Sequence, residues 1–173
     1  IMVAHTFIGF EDHNPNETGV ENYGRVCARA KELGVQVAFE NTEGEEYLAA
    51  VMELAKVYPG TVGFCWDAGH EMCYNFSEDL LALFGHKLIA THINDNLGVK
   101  DFNGRIFWHD DLHLLPFDGV ADWDYNAKRL AKSLSAHCKN TIITGIHYQN
   151  KILSLGYEAL SDTYTKILNN KID

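Results

Sequence analysis

Four short apolar runs in this chain each lead to a carboxylate or an imidazole. Met2-Val3-Ala4 is followed by His5, Val37-Ala38-Phe39 by Glu40, and Phe64-Cys65-Trp66 by Asp67 with His70 three residues on. Ile89-Ala90-Thr91 is followed by His92 and then Asn94-Asp95-Asn96. Glu, Asp and His together suit a divalent cation with nitrogen and oxygen ligands, such as Mn²⁺, Zn²⁺, Mg²⁺ or Co²⁺. One polar residue at the end of one strand is ordinarily a solvated group facing a loop. Four in succession predict a shared site. Taken alone, His5 reads equally as a satisfied strand-end histidine, whereas for His70 a cap on the following turn is the less favoured reading. Glu43, Glu45 and Glu46 are most simply a helix N-terminus favoured by the macrodipole, and Glu46 is also a candidate for binding a substrate's terminal oxygen.

The elements that must position these groups alternate. Strand-like runs lie at 1–8, 35–40, 62–67, 87–93 and 141–147, and helical spacing at 20–33, 45–57, 122–137 and 157–168. A shorter helix is expected at 77–84 with Ser77 as cap. Such alternation predicts right-handed crossovers and a parallel sheet, whose strand C-termini share one face. The stretch from Asn94 to Ala121 is too long for a plain connector, so it is functional or hides a short strand.

The chain has 173 residues, enough for one domain spanning 1–173. Its 14 basic and 24 acidic residues give a net charge of −10, which argues against a nucleic-acid partner. No apolar run is long enough to span a bilayer, so no membrane is expected. The four cysteines show no CxxC spacing and read as free thiols of a soluble, cytoplasmic protein.

The strings Ala38-Phe39-Glu40-Asn41-Thr42, Cys65-Trp66-Asp67-Ala68-Gly69-His70, Thr91-His92-Ile93-Asn94-Asp95-Asn96 and the run from Asp111 to Trp123 resemble the sugar-phosphate isomerase/epimerase superfamily. These are xylose isomerase-like TIM barrels, a fold shared with the apurinic endonucleases. The resemblance implies an α/β chain of (β/α)8 type, with Glu40, Asp67 and His92 as metal ligands and Glu40 also as catalytic base. It implies that His70 contacts substrate oxygens or a second metal. His5, Asp111 and His113 match further positions of the endonuclease branch, His5 being carried as a substrate-binding candidate and His113 as a metal-ligand candidate.

The chain departs from that pattern in two places. Gly145 stands where the family has a second Glu, so His147, on the same strand face, is a further metal-ligand candidate. A barrel of this kind needs about 250 residues, and this chain begins at a strand matching the family's third. The expectation is an incomplete barrel lacking the first two strand–helix units, with an open edge beside His5 that could pair with another copy in a homo-oligomer.

The function expected is a divalent-metal-dependent sugar or sugar-phosphate isomerase or epimerase acting by proton transfer next to a carbonyl. Trp66, Trp108, Phe117 and Trp123 could stack on sugar faces, although core packing is the favoured reading of Trp66 and Trp123. Lys100 and Arg105 are phosphate candidates. The alternatives are an apurinic-endonuclease-like metal-dependent phosphodiesterase, for which the larger set of donors speaks, and a catalytically impaired member of the fold, for which Gly145 speaks.

Overall fold

A computed structural model describes residues 1–6, 14–76, 78–100, 109–136, 142–144 and 165. The expected strand at 141–147 is described only as Ile142–Thr144 and the closing helix at 157–168 only at Thr165, and Ser77, Gly145 and His147 lie outside the described residues.

Among the described residues five parallel strands form one sheet in chain order, β1 (Met2–His5), β2 (Val37–Glu40), β3 (Val62–Asp67), β4 (Leu88–His92) and β5 (Ile142–Thr144). Between them run α1 (Glu17–Glu32), α2 (Glu45–Met52), α3 (Leu54–Val57), α4 (Ala68–Tyr74), α5 (Leu80–Phe84) and a 3-10 turn, Gly85–Lys87; α6 (Trp123–Ala136) precedes β5. Sequential parallel order is that of a barrel wall, so the described strands form part of a (β/α) barrel. No helix of the described residues is long and apolar enough to cross a membrane.

Local chemistry accounts for the elements. Asn16 caps α1 by accepting from the Gly19 amide at 2.8 Å, with Glu17 in the first turn and Arg29 and Lys31 in the last. Asp79, rather than Ser77, caps α5 by accepting from the Ala82 amide at 2.9 Å. The helix read as continuous over 45–57 is divided at Glu53 into α2 and α3.

Side-chain alternation splits each central strand between two environments. Val37, Phe39, Phe64, Trp66 and Leu88 join Cys27 and Ala30 of α1, Leu48, Val51 and Met52 of α2, and Trp123, Ala127 and Leu130 of α6 in the main core. Each such large side chain contributes roughly 1.5–3 kcal/mol on burial. Ala38, Cys65 and Ala90 form a second, smaller cluster on the opposite face. These small residues lie on the same strand faces as Glu40, Asp67 and His92, two positions before each of them.

A buried polar joint ties three helices together behind β3. Glu71 of α4 accepts from the Trp66 indole N–H at 3.0 Å, the Leu80 amide at 3.1 Å and Arg129 Nη2 of α6 at 2.5 Å. Arg129 also donates to Asp79 at 2.7 Å, and its guanidinium lies 4.8 Å from the Tyr125 ring centroid and 5.5 Å from that of Trp66.

Candidate metal centre

Strand register brings the predicted groups into line. His5 is paired with Glu40 across β1 and β2, and Asp67 with His92 across β3 and β4. Glu40 Oε2 lies 3.1 Å from His5 Nε2, and Oε1 lies 3.0 Å from His92 Nδ1 and 3.1 Å from His70 Nδ1. Asp67 Oδ2 is 3.7 Å from His92 Nδ1. Residues 35 and 52 apart in sequence thus meet at one carboxylate.

A second group adjoins the first through His70. Its Nδ1 is 2.9 Å from the Asn41 carbonyl oxygen. With the proton on Nδ1, Nε2 is left as the donor atom, and it faces Asp111 Oδ2 at 3.2 Å. Tyr74 donates to the same oxygen at 3.1 Å. His113 Nε2 is 3.7 Å from Asp111 Oδ1, and its ring centroid is 5.8 Å from that of His70.

Amide side chains hold these ligands in place. Asn94 Nδ2 donates to both Asp67 oxygens at 3.0 Å. Asn41 grips the Asp67 backbone, accepting from its amide at 2.7 Å and donating to its carbonyl at 2.9 Å. Asp67 in turn accepts from the His70 amide at 2.8 Å, so one aspartate both ends β3 and caps α4.

Electrostatics divides the carboxylates. Burial pushes Glu40 up, but hydrogen bonds from His5, His70 and His92 outweigh it and hold Glu40 well below the usual carboxylate range. Burial likewise pushes Asp111 up, and His70 overcomes it. Asp67 ends raised: it is fully buried, and Glu40 and Asp111 repel its charge. The hydrogen bond to Glu40 raises His5. Burial lowers His70, and the charges of Asp67, Asp111 and Glu40 carry it well above the ordinary imidazole value.

The sequence matches the family described as the xylose isomerase-like TIM barrel over residues 4–135. The chain belongs to this family. It is also 38% identical over 115 residues to the uncharacterized protein y4fM of Sinorhizobium fredii, a match covering 64% of this chain and 34% of that protein. The TTHB071 protein from Thermus thermophilus, solved after soaking with ZnCl2, shares the fold with a TM-score of 0.61 and 19% identity, over 99% of this chain and 62% of that one. The chain therefore spans about a third of the curated relative and under two thirds of the solved structure. The xylose isomerase-like family includes sugar isomerases and epimerases and endonuclease IV-like enzymes, and its members often bind a divalent metal.

The residues here fit such an ion. Ligand atoms bonded at about 2.0–2.2 Å to one cation stand roughly 3–3.5 Å from each other, close to the 3.0 Å from His92 Nδ1 to Glu40 Oε1 and the 3.7 Å from the same nitrogen to Asp67 Oδ2. A cation there would also neutralise Asp67, and one at the adjoining His70–His113 group would give a partner to Asp111 Oδ1, a buried oxygen without a hydrogen bond. Two triads bring their donor atoms within 4.8 Å of one another: Glu40, Cys65 and His92, and Asp67, His70 and His113. Cys65 is a donor the sequence reading passed over. It lies two positions before Asp67 on the same strand face, and that period-2 signal could have found it. Burial, with Glu40 and Asp67, pushes its thiol far up, which keeps it protonated.

Other candidates fall elsewhere. Glu46 is half-buried in the first turn of α2, where its charge acts on Glu45. Trp66 and Trp123 are core residues. Asp95, read from sequence beside the metal-site motif, turns into the following loop: its Oδ1 accepts from the amides of Asn96 and Ala121, and its Oδ2 from the amide of Phe117 and the Trp123 indole.

Proposed function

We propose that this chain is the metal-holding part of an isomerase or epimerase acting on a sugar or sugar phosphate by proton transfer next to a carbonyl. The observation that carries the proposal is the meeting of Glu40 Oε1, His92 Nδ1 and Asp67 Oδ2 at the C-terminal ends of three adjacent strands. Glu40, Asp67 and His92 would hold the ion. A bound divalent cation supplies Lewis acidity at a substrate oxygen. Glu40 is ionised and is the proposed base. To accept a proton it must be released from the His92 N–H, which ligation through a neutral His92 Nδ1 would do, while the His70 Nδ1 proton is held by the Asn41 carbonyl. His70 orients a substrate hydroxyl or carbonyl, and His5 fixes the far oxygen of Glu40. The net charge of −10 favours a small substrate over a polyanion.

A second reading, phosphoester hydrolysis, is favoured by the additional donors Asp111, His70 and His113, which would suit a second ion and in-line displacement. One experiment separates the two. Protein loaded with Zn²⁺ or Mn²⁺ is incubated in D2O with aldoses, ketoses and their phosphates, and in parallel with bis(p-nitrophenyl) phosphate. Solvent deuterium entering the carbon next to the carbonyl, and lost in Glu40→Gln, supports the isomerase. Phosphoester cleavage without deuterium exchange replaces it with the hydrolase.

A further inference from the structure

His113 reaches the centre from a backbone in the left-handed region, with φ +48°. That conformation is unfavourable for a residue with a side chain, although histidine adopts it more readily than most. It persists only where the surroundings over-determine it, and here they do so from both sides. The Leu112 amide donates to Asn96 Oδ1 at 2.5 Å. Leu114 and Asp95 exchange two backbone bonds, each 2.8 Å. Asn96 Nδ2 meanwhile donates to the Gly69 carbonyl at 3.1 Å and lies 3.2 Å from Cys73 Sγ. Asn96 therefore joins the Asp111-Leu112-His113 segment to α4, the helix that carries His70. The rest of the loop closes on the Asp95 carboxylate, which takes four N–H donors. Gly119 is required for that closure: a Cβ there would fall 2.2 Å from Asp95 Oδ1 and 2.3 Å from the Asn96 carbonyl oxygen.

We infer that Asp95 and Asn96 are positioning residues, a clamp whose task is to hold Asp111 and His113 against His70 as a preformed donor group. The inference rests on the metal-centre reading above. It assigns the Asp-Asn pair after His92 a role through other ligands, with no contact to the ion itself.

Co²⁺ is the probe, titrated into the whole protein with affinity measured by competition against a chelator and coordination followed by visible absorption. Asn96→Ala weakens Co²⁺ binding by about 10–100-fold, as His113→Ala does, and both alter the cobalt spectrum. Asn96→Ala costs less in the His113→Ala background than in wild type, because part of what the clamp holds is already gone. Gly119→Ala, which removes no clamp or ligand side chain but drives its Cβ into Asp95 Oδ1 and the Asn96 carbonyl, reproduces the Asn96→Ala loss. Losses that add in the double variant, or an Asn96→Ala protein with unchanged affinity and spectrum, overturn the clamp while leaving the metal centre standing. Wild-type protein that takes up no Co²⁺ overturns both.

Discussion

Asn94 lies directly over Gly69. A Cβ built on Gly69 would fall 1.8 Å from Asn94 Oδ1, so the side chain that holds both Asp67 oxygens is seated on a position that must lack one. Gly69→Ala is expected to push Asn94 off Asp67. The cost to folding is about 1–3 kcal/mol of overpacking, and metal affinity falls roughly 10–100-fold through loss of ligand support. Chemical denaturation and chelator competition measure the two effects. A variant with wild-type metal affinity contradicts the role given to Asn94.

The sequence carried much of this site because one residue type at each strand end is a short-range signal. His5, Glu40, Asp67 and His92 could be read from apolar runs that stop on a polar group, and parallel topology then puts those stops on one face. His70 followed from its spacing after Asp67. Asp95 stands in the motif after His92, but nothing in the motif states its task. Whether a buried carboxylate faces a cation or four N–H donors depends on a loop that closes from Phe117, Ala121 and Trp123, more than twenty residues away. The Glu71–Arg129 joint was invisible for the same reason, since nothing local to α4 predicts a cation arriving from α6.

That joint makes its own prediction. Glu71 and Arg129 side chains are only 6% and 10% exposed, so removing one partner strands a buried charge. Arg129→Met is expected to cost about 3–5 kcal/mol, lowering the thermal midpoint by roughly 6–20 °C for a chain of this size. Replacing both, as Glu71→Leu with Arg129→Met, should recover part of the loss. Recovery is incomplete because the Trp66 indole and the Leu80 amide lose their acceptor. Calorimetry of Arg129→Met and of the double variant tests this, and an Arg129→Met protein as stable as wild type would refute it.

Protonation gives a further expectation for the metal-free protein. His5 and His70 have raised folded-state values, so the stability they confer is full below about pH 6.5 and is lost as pH rises through the folded values. Asp67, also raised, pulls in the same direction. Glu40 and Asp111 are lowered. Their contribution is present above about pH 4 and disappears as pH falls through the folded values. In chelator the thermal midpoint should therefore peak between about pH 4.5 and 6.5 and decline on the alkaline side. Saturating Zn²⁺ should reverse the alkaline decline, because protons and the cation compete for the same nitrogens and oxygens. A chelated midpoint that climbs steadily from pH 6 to 9 would contradict the assignment.

The most direct measurement is a crystal of zinc-loaded protein with anomalous diffraction collected at the zinc edge. The account predicts a peak at the strand C-termini with Glu40, Asp67 and His92 donors at about 2.0–2.2 Å. Zinc bound elsewhere, or bound without all three of these side chains, would contradict it.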